Sequence, residues 1–429
     1  MDLLYNIGIG AYRLAVKAAA LRNRKARLML EGQAQTMDRL RDNIEPDGGY
    51  IWVHASSLGE FEQGRPLIER IKRERPDARV LLSFFSPSGY EVRKNYPMAD
   101  VVVYLPFDMP QQVKQFLDLA KPAVAIFVKY EFWGNYLTEL RRRGIPTYVI
   151  SAHFRPSQVF FKPWGGMFRR ILRCFTTIFV QNEDSRQLLK SVGVTRVEVS
   201  GDTRFDRVAD VRAAAREFPA IEALTAGAPF TLVAGSTWPA DEDLLIPYFN
   251  SHPGMKLILA PHEFDRERLH ALMARVTRPV GLYSETSPEA ARSLDCVIID
   301  SFGLLSSLYR YGDAAYVGGG FGAGIHNICE AAVYGIPVIF GPNHGKFREA
   351  TELVACDAAF TVASRDDLEG TLNRLIGDKN ALQRAGHAAA HYINSHTGAT
   401  EFIYNNIPQL SSRGAHRRST TEAAKEPQS

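Results

Sequence analysis

The sequence predicts an α/β protein built from two doubly wound parallel sheets, each with its own core. Three observations predict it. Short unbroken apolar runs alternate with helix-patterned stretches, as strands covered on both faces do. The alternation occurs twice, in blocks separated by a mixed segment at 208–228. The length, 429 residues, is enough for two domains that each bury a core.

The first block follows Pro46-Asp-Gly-Gly and places strands at 50–54, 80–85, 101–106, 123–128, 147–150 and 177–180. The second places them at 230–233, 256–260, 296–299, 314–317, 338–340 and 360–362. Ligand loops are expected at the C-terminal ends of these strands, with the two domains facing one another across a shared cleft. The expected organisation is an N-terminal helix at 1–30, a Rossmann-like domain at 31–207, a linker at 208–228 and a second Rossmann-like domain at 229–408. A disordered tail is expected at 409–429, where the chain turns polar and loses its apolar period.

Hydrophobic content of 45%, 23% charge and a net charge of +4 describe a globular chain and give no ground for nucleic-acid binding. Cys174, Cys296, Cys329 and Cys356 are widely spaced, which points to reduced thiols rather than disulfides or a zinc site. His262-Glu263 begins like H-E-x-x-H, but position 266 is Arg. Asp241-Glu-Asp243 has the D-x-D form of metal-dependent sugar transferases. It stands directly after Trp238-Pro239, where acidic residues open a helix, so no metal site is expected.

Within 1–30, Leu3, Leu4, Ile7, Ala11, Leu14, Ala18 and Leu21 fall at helical steps, and Arg13, Lys17, Arg22, Arg24, Lys25 and Arg27 carry positive charge. The apolar run is too short to cross a bilayer, which takes about 20 residues. Its charges follow rather than precede it, unlike a signal peptide. A basic amphipathic helix of this kind is expected to lie on an anionic membrane surface.

The most informative stretch is Ala314 to Ala350. A short strand breaks into a run with Gly at 318, 319, 320, 322 and 324, and a helix is expected from His326 onward. Glycines let a ligand approach the backbone, and a helix N-terminus favours an anion, so Gly318, Gly319, Gly320 and His326 are candidates for a phosphate site. Asn327 and Glu330, three residues apart, would share a helix face and meet sugar hydroxyls. Ser236 and Thr237 end the first strand of this block and Pro261 and His262 end the next, so all four are expected on the same side.

In the first block, Glu60 falls at a strand's end and a helix's start, where the macrodipole favours the ionised carboxylate and so a base over an acid. A capping carboxylate would occupy the same position. Glu131 and Trp133 lie just past a buried strand, as site residues often do. Ser86, Ser88 and Gly89 end another strand, as do His153 and Arg155.

His54-Ala-Ser-Ser-Leu-Gly-Glu60, Glu131-Phe-Trp, Val180-Gln-Asn, Ser200-Gly-Asp-Thr-Arg-Phe-Asp206, Ala234-Gly-Ser-Thr237 and His326-Asn-Ile-Cys-Glu330 stand in the order, and at roughly the distances, found in the Kdo (3-deoxy-D-manno-octulosonic acid) transferases of lipopolysaccharide biosynthesis. The chain resembles that family over about residues 1 to 405. The resemblance implies a GT-B fold, CMP-Kdo as donor, a lipid A precursor as acceptor, metal-independent inversion without a cofactor, and action at the cytoplasmic face of the bacterial inner membrane. It further implies that Glu60 is the base, that Glu131 is needed for activity, and that the Gly-rich turn with Asn327 and Glu330 binds CMP. Ser57, Gly59, Lys129 and Trp133 become candidates for the acceptor, and Lys129 or Arg204 for the sugar carboxylate. Four positions depart from the family pattern: Lys129 stands for a Glu, Gly134 for a Pro, Asp202 for an Asn, and His262 for an Arg. Rival readings are a GT-B-like nucleotide-sugar epimerase, a lipid-directed transferase using a UDP-sugar, and a non-catalytic nucleotide-sugar binding module.

Overall fold

The computed structural model describes residues 3–411, which divide into two compact units. Among the described residues, unit 1 comprises 3–207 with 397–411, and unit 2 comprises Val208–His396.

In unit 1 the strands are β1 (Tyr50–Ala55), β2 (Val80–Phe84), β3 (Val101–Tyr104), β4 (Pro122–Val128), β5 (Thr147–Ala152), β6 (Thr177–Val180) and β7 (Val197–Val199). They form one seven-stranded sheet in the order β3-β2-β1-β4-β5-β6-β7, parallel throughout. Helices cover both faces, which explains the nearly continuous apolar strands. Trp52, at the sheet's centre, packs on Phe116, Phe127 and Tyr136.

Unit 2 repeats the plan with β8 (Phe230–Thr237), β9 (Met255–Pro261), β10 (Val280–Leu282), β11 (Cys296–Ile298), β12 (Ala314–Val317), β13 (Val338–Phe340) and β14 (Ala359–Thr361). Its order is β10-β11-β9-β8-β12-β13-β14, again all parallel. In each sheet the winding direction reverses once, between β1 and β4 in unit 1 and between β8 and β12 in unit 2. The crevice beyond the strand ends at such a reversal is where doubly wound sheets take ligands.

All twelve expected strands are present. The two not foreseen, β7 and β10, are three-residue edge strands interrupted by Glu198 and Gly281, too short for an apolar period to register. The expected single N-terminal helix is two, Leu3–Ala19 and Arg24–Ala34. Asn23 ends the first and starts the second by accepting the Lys25 and Ala26 N–H groups.

The expected linker is folded. Residues 208–228 hold the end of the Thr203–Ala213 helix and all of Pro219–Thr225, with Val208, Phe218, Ile221 and Leu224 buried. The second domain also ends earlier than 408. The Ala399–Asn406 helix belongs to unit 1, where Ile403, Tyr404, Ile407 and Leu410 enter the core. Leu410 lies in the span expected to be a disordered tail; residues 412–429 of that span fall outside the described residues.

Candidate functional site

Unit 1 places its candidates on the two strands that flank its reversal. β1 ends at Ala55, and Ser57 is the N-cap of the helix Leu58–Glu74, with Glu60 in its first turn. The Ser57 N–H and Oγ–H both donate to Glu60 Oε2, at 2.9 and 2.8 Å. The capping geometry is therefore real. Both bonds land on one oxygen, and Oε1 has no bonded partner among the described residues.

The expectation that this position favours the ionised carboxylate is overturned. Burial and the charge of Glu131 raise the Glu60 pKa above its ordinary value, against the Ser57 bonds and the nearby His54, which lower it. Desolvation of a half-buried carboxylate outweighs the helix end. Glu60 consequently binds a proton more tightly than a typical Glu, which makes it a stronger base once ionised.

Glu131 sits past the end of β4, 7% exposed. Its Oε2 accepts from Trp133 Nε1 at 2.6 Å and contacts His54 Nε2 at 3.1 Å. His54, fully buried on β1, turns Nδ1 to Ser83 Oγ at 2.9 Å, and Trp52 Nε1 donates to that same oxygen at 2.8 Å. Nδ1 also lies 3.1 Å from the Ser83 backbone oxygen, so the ring meets Ser83 on one side and Glu131 on the other. A polar relay thus runs across β2, β1 and β4 and holds Glu131 beside Glu60. His54, Ser83 and Trp52 were missed as functional residues. The available signal was a His in an otherwise apolar strand, one residue from its end.

Lys129 ends β4 with φ +67, a backbone conformation that costs a non-glycine residue about 1 kcal/mol or more, and its Nζ lies 5.4 Å from the centre of the Tyr130 ring. Burial raises the Tyr130 pKa, and the charges of Arg155, Arg204, Asp202 and Glu60 all reach its phenol, so these groups share one neighbourhood with Lys129. Arg204 is held by Asp202, at 2.9 Å from Nε and 2.8 Å from Nη2. Gly59 is exposed in the same first turn, and Trp133 packs against Phe85, 4.8 Å between ring centres. Phe85 and Ser86 N–H groups bond Ser56 O at 3.2 and 2.7 Å, which brings the Ser86, Ser88 and Gly89 turn against the start of the Glu60 helix. The His153 ring contacts Asn182 at 3.4 Å, farther along the sheet.

Unit 2 likewise gathers its candidates at the reversal between β8 and β12. Ser236 has φ +53 within a bulge of β8. Thr237 does not face a ligand: it is fully buried and donates to Glu242 Oε1 at 3.0 Å. Gly318 cannot carry a side chain, because a Cβ there would stand 2.3 Å from Ser236 O. A Cβ on Gly320 would stand 2.5 Å from Gly341 Cα.

The expected phosphate-binding helix is corrected on two counts. It is four residues long, Cys329–Ala332, and does not include His326 or Asn327. So short a helix has little macrodipole to offer. The Gly318 N–H is bonded to Gly235 O at 2.9 Å and the Gly319 N–H to Asp241 Oδ2 at 3.0 Å, so neither awaits an anion. The glycines serve close approach of backbone to backbone. Asn327 precedes the helix, accepts from the Cys329 N–H at 3.2 Å and donates to Glu330 Oε1 at 3.0 Å. The two side chains do meet, but through a cap rather than a helix face.

What the loop borders is a cavity of about 480 Å³ walled by Trp238, Asp241, Gly319, Phe321, Gly324 and His326. Trp238, His262 and His326 form a stack, with ring centres 4.8 and 4.2 Å apart. Trp238 Nε1 donates to His326 Nε2 at 3.2 Å. Burial and neighbouring His262 lower the His326 pKa, keeping that nitrogen an acceptor at neutral pH. Pro261 is buried at the end of β9, just before His262. Trp238 was missed as a site residue; an aromatic directly after a strand was the signal.

The acidic triplet is engaged by protein groups. Asp241 accepts from Tyr316 OH at 2.7 Å, Gly319 N and Trp238 N, Glu242 pairs with Arg268 at 2.8 Å, and Asp243 with Arg275 at 2.6 Å. Among the described residues no cluster of His, Cys, Asp or Glu is placed to hold a metal ion.

Comparison with known proteins gives concordant results. Residues 22–207 match the family model described as 3-deoxy-D-manno-octulosonic-acid transferase (kdotransferase). Proteins named 3-deoxy-D-manno-octulosonic acid transferase are similar over most of their length. That of Aquifex aeolicus is 28% identical, covering 80% of this chain and 90% of that protein, and that of Bordetella pertussis is 28% identical, covering 82% and 85%. Among solved structures, UDP-GlcNAc 2-epimerase of Neisseria meningitidis bound to UDP-GlcNAc superposes with TM-score 0.57 at 14% identity, covering 82% of this chain and 98% of that one. MurG of Acinetobacter baumannii superposes at 0.53 and 12%, covering 83% and 98%. These structures establish the fold, the two-sheet GT-B class.

Proposed function

We propose that this chain is a Kdo transferase, which its similarity to proteins of that name over about 80% of its length supports, and that it transfers Kdo from CMP-Kdo to a hydroxyl of a lipid A precursor, with inversion at the donor carbon. The observation that carries the chemical reading is the pair of carboxylates at the unit 1 reversal. Glu131 is fixed by His54 and Trp133, and Glu60 beside it has a raised proton affinity and an unbonded Oε1. Glu60 is the base that takes the acceptor proton as the bond to the anomeric carbon forms. The neighbouring Glu131 adds to the burial that raises the proton affinity of that base.

The donor's anomeric carbon bears a carboxylate, and departure of CMP leaves it with oxocarbenium character. Lys129, Arg155 and Arg204 supply the positive field suited to the sugar carboxylate and the acceptor's phosphates. In unit 2 the cavity beside Trp238 and His326 takes the nucleotide, and the bonded pair Asn327 and Glu330 follows the same loop. Asp241 maintains the loop rather than binding a metal, and no metal ion enters this reading.

The Leu3–Ala19 helix supports a lipid acceptor. Leu3, Leu4, Ile7 and Leu14 are between 58% and 79% exposed, an arrangement that suits an acyl-chain boundary. Among the described residues no helix is long and apolar enough to cross a membrane. The reading therefore places the protein peripherally on an anionic membrane, at the cytoplasmic face of the bacterial inner membrane.

The test is incubation with CMP-Kdo or UDP-sugars, with and without a lipid A precursor. Kdo-dependent lengthening of the lipid, with CMP released, is the expected result. Conversion of a UDP-sugar without any acceptor would replace this reading with the epimerase, and binding without turnover of either would leave a nucleotide-sugar module.

A further inference from the structure

The outward, apolar side of the Leu3–Ala19 helix is directed to lipid in the reading above; its inward side makes polar contacts of a different kind. Tyr5 Oη donates to Asp108 Oδ2 at 2.6 Å and accepts from the Gly134 N–H at 2.8 Å. Asp108, fully buried, also accepts the Asn135 and Tyr136 N–H groups, both at 2.9 Å. Asn135 Nδ2 donates to Asn6 Oδ1 at 2.8 Å.

These three N–H groups open the helix Gly134–Arg142 and have no partners within it. The N-cap of that helix is Trp133, whose indole has no acceptor to offer these N–H groups and gives its own N–H to Glu131. Tyr5 and Asp108 thus cap this helix from two distant stretches of chain. A second contact reaches the same place: Tyr12 stacks on Phe85, 6.4 Å between centres, and Phe85 lies against Trp133. The N-terminal helix consequently holds the Glu131 loop directly at the backbone and reaches the indole through Phe85.

We propose that Tyr5 is a positioning residue for the transfer step, a latch that fastens the lipid-facing helix to the start of Gly134–Arg142 and so fixes the loop that carries Glu131. The inference rests on the assignment of Glu60 as base. It predicts that seating of the N-terminal helix and readiness of the carboxylate pair are coupled. A helix that merely anchored the protein would not need buried polar bonds to the segment next to Glu131.

Tyr5→Phe in the full-length chain keeps the ring and removes the hydroxyl. Binding of CMP and of anionic vesicles is expected to be unchanged, since neither uses that hydroxyl. With CMP-Kdo and a lipid A precursor, kcat is expected to fall roughly tenfold to a hundredfold, the usual effect of a small misplacement of reacting groups, with the donor KM unaltered. The acid limb of the kcat profile should move to lower pH, because Glu60 loses part of the Glu131 field. His54 and Tyr130, the other titratable groups coupled to Glu60, lie outside the latch. A lowered melting temperature with normal kcat and an unmoved acid limb would reduce Tyr5 to a structural cap and overturn the inference. Should Tyr5→Phe fail to fold, Asn6→Ala breaks the parallel bond to Asn135 and is expected to show a smaller change of the same kind; no change overturns the latch. Glu60→Gln run alongside separates the premises. Normal turnover there removes the base assignment, whereas lost turnover there with unaltered Tyr5→Phe removes the latch alone.

Discussion

Glu60 accepts two bonds from Ser57 and also sits beside a second carboxylate, so its capping and chemical roles can be separated by one substitution. Glu60→Gln keeps an oxygen for Ser57 and is expected to cost stability only about 1 kcal/mol. Turnover should fall by about 10² to 10⁴, the contribution of a positioned base. For the wild type, Glu60 must be ionised to accept a proton, and its pKa is raised. The acid limb of kcat against pH is therefore expected above the ordinary Glu range, with activity rising as pH passes through it; a limb at or below that range would remove Glu60 from the step. On the donor side, Asp241→Asn weakens acceptance from Tyr316, Gly319 and Trp238 together. A loss of roughly 1 to 3 kcal/mol in stability is expected, along with weaker CMP binding by titration calorimetry. Candidate positions were legible in the sequence because strand ends announce themselves, and Glu60, Glu131 and the glycines were read as candidates that way. Their electrostatics were not. The Glu60 shift depends first on burial in the folded unit and then on Glu131, 71 residues away in the chain and brought close only by the pairing of β1 with β4. The occupied N–H of Gly319 likewise depends on Asp241, which pattern reading had assigned to a helix start alone.

At the scale of elements, the long apolar strands were legible and the short pieces were not. β7 and β10 are too brief to show a period. The helix after the Gly-rich run begins only at Cys329, whose N–H is taken by the Asn327 side chain, a bond that no periodicity encodes. The N-terminal helix was legible in its outward face, the exposed Leu3, Leu4, Ile7 and Leu14, but not in its inward one, which depends on Asp108 and Gly134. Its basic extension allows a separate test. Arg22, Arg24, Lys25 and Arg27 each add roughly 1 kcal/mol near an anionic surface, so replacing all four with Gln should weaken partitioning by about 4 kcal/mol, or about a thousandfold. Cosedimentation with anionic vesicles measures this, and binding by the unaltered protein should decline with added salt as screening shortens the reach of those charges. Unchanged cosedimentation in both experiments would mean that the helix serves the fold alone.

At the scale of the whole molecule, the repetition of one strand-and-helix pattern made the two sheets legible, while the path of the chain between them was hidden. The last helix follows directly on unit 2 in sequence, which is why it reads as part of that domain, yet its apolar residues fill unit 1. Asp206 caps it from the far end of unit 1, accepting from Gly398 N at 2.6 Å and from Thr400 N and Oγ1 at 2.7 Å. Arg70 pairs with Glu401 at 3.0 Å and lies over the Tyr404 ring, and Arg75 and Tyr148 bond Gln409. Truncation after His396 therefore has a lopsided consequence. It strips Ile403, Tyr404, Ile407 and Leu410 from the unit 1 core, each worth roughly 1.5 to 3 kcal/mol of burial. Even discounted for a compact unfolded state, that sum is comparable with the whole 5 to 15 kcal/mol by which a domain is stable. Unit 1 is expected to lose amide-exchange protection across β1 to β6, with transfer abolished, while β8, β9 and β12 stay protected and CMP still binds. Loss of protection confined to unit 2 would show instead that the last helix serves the domain it follows in sequence.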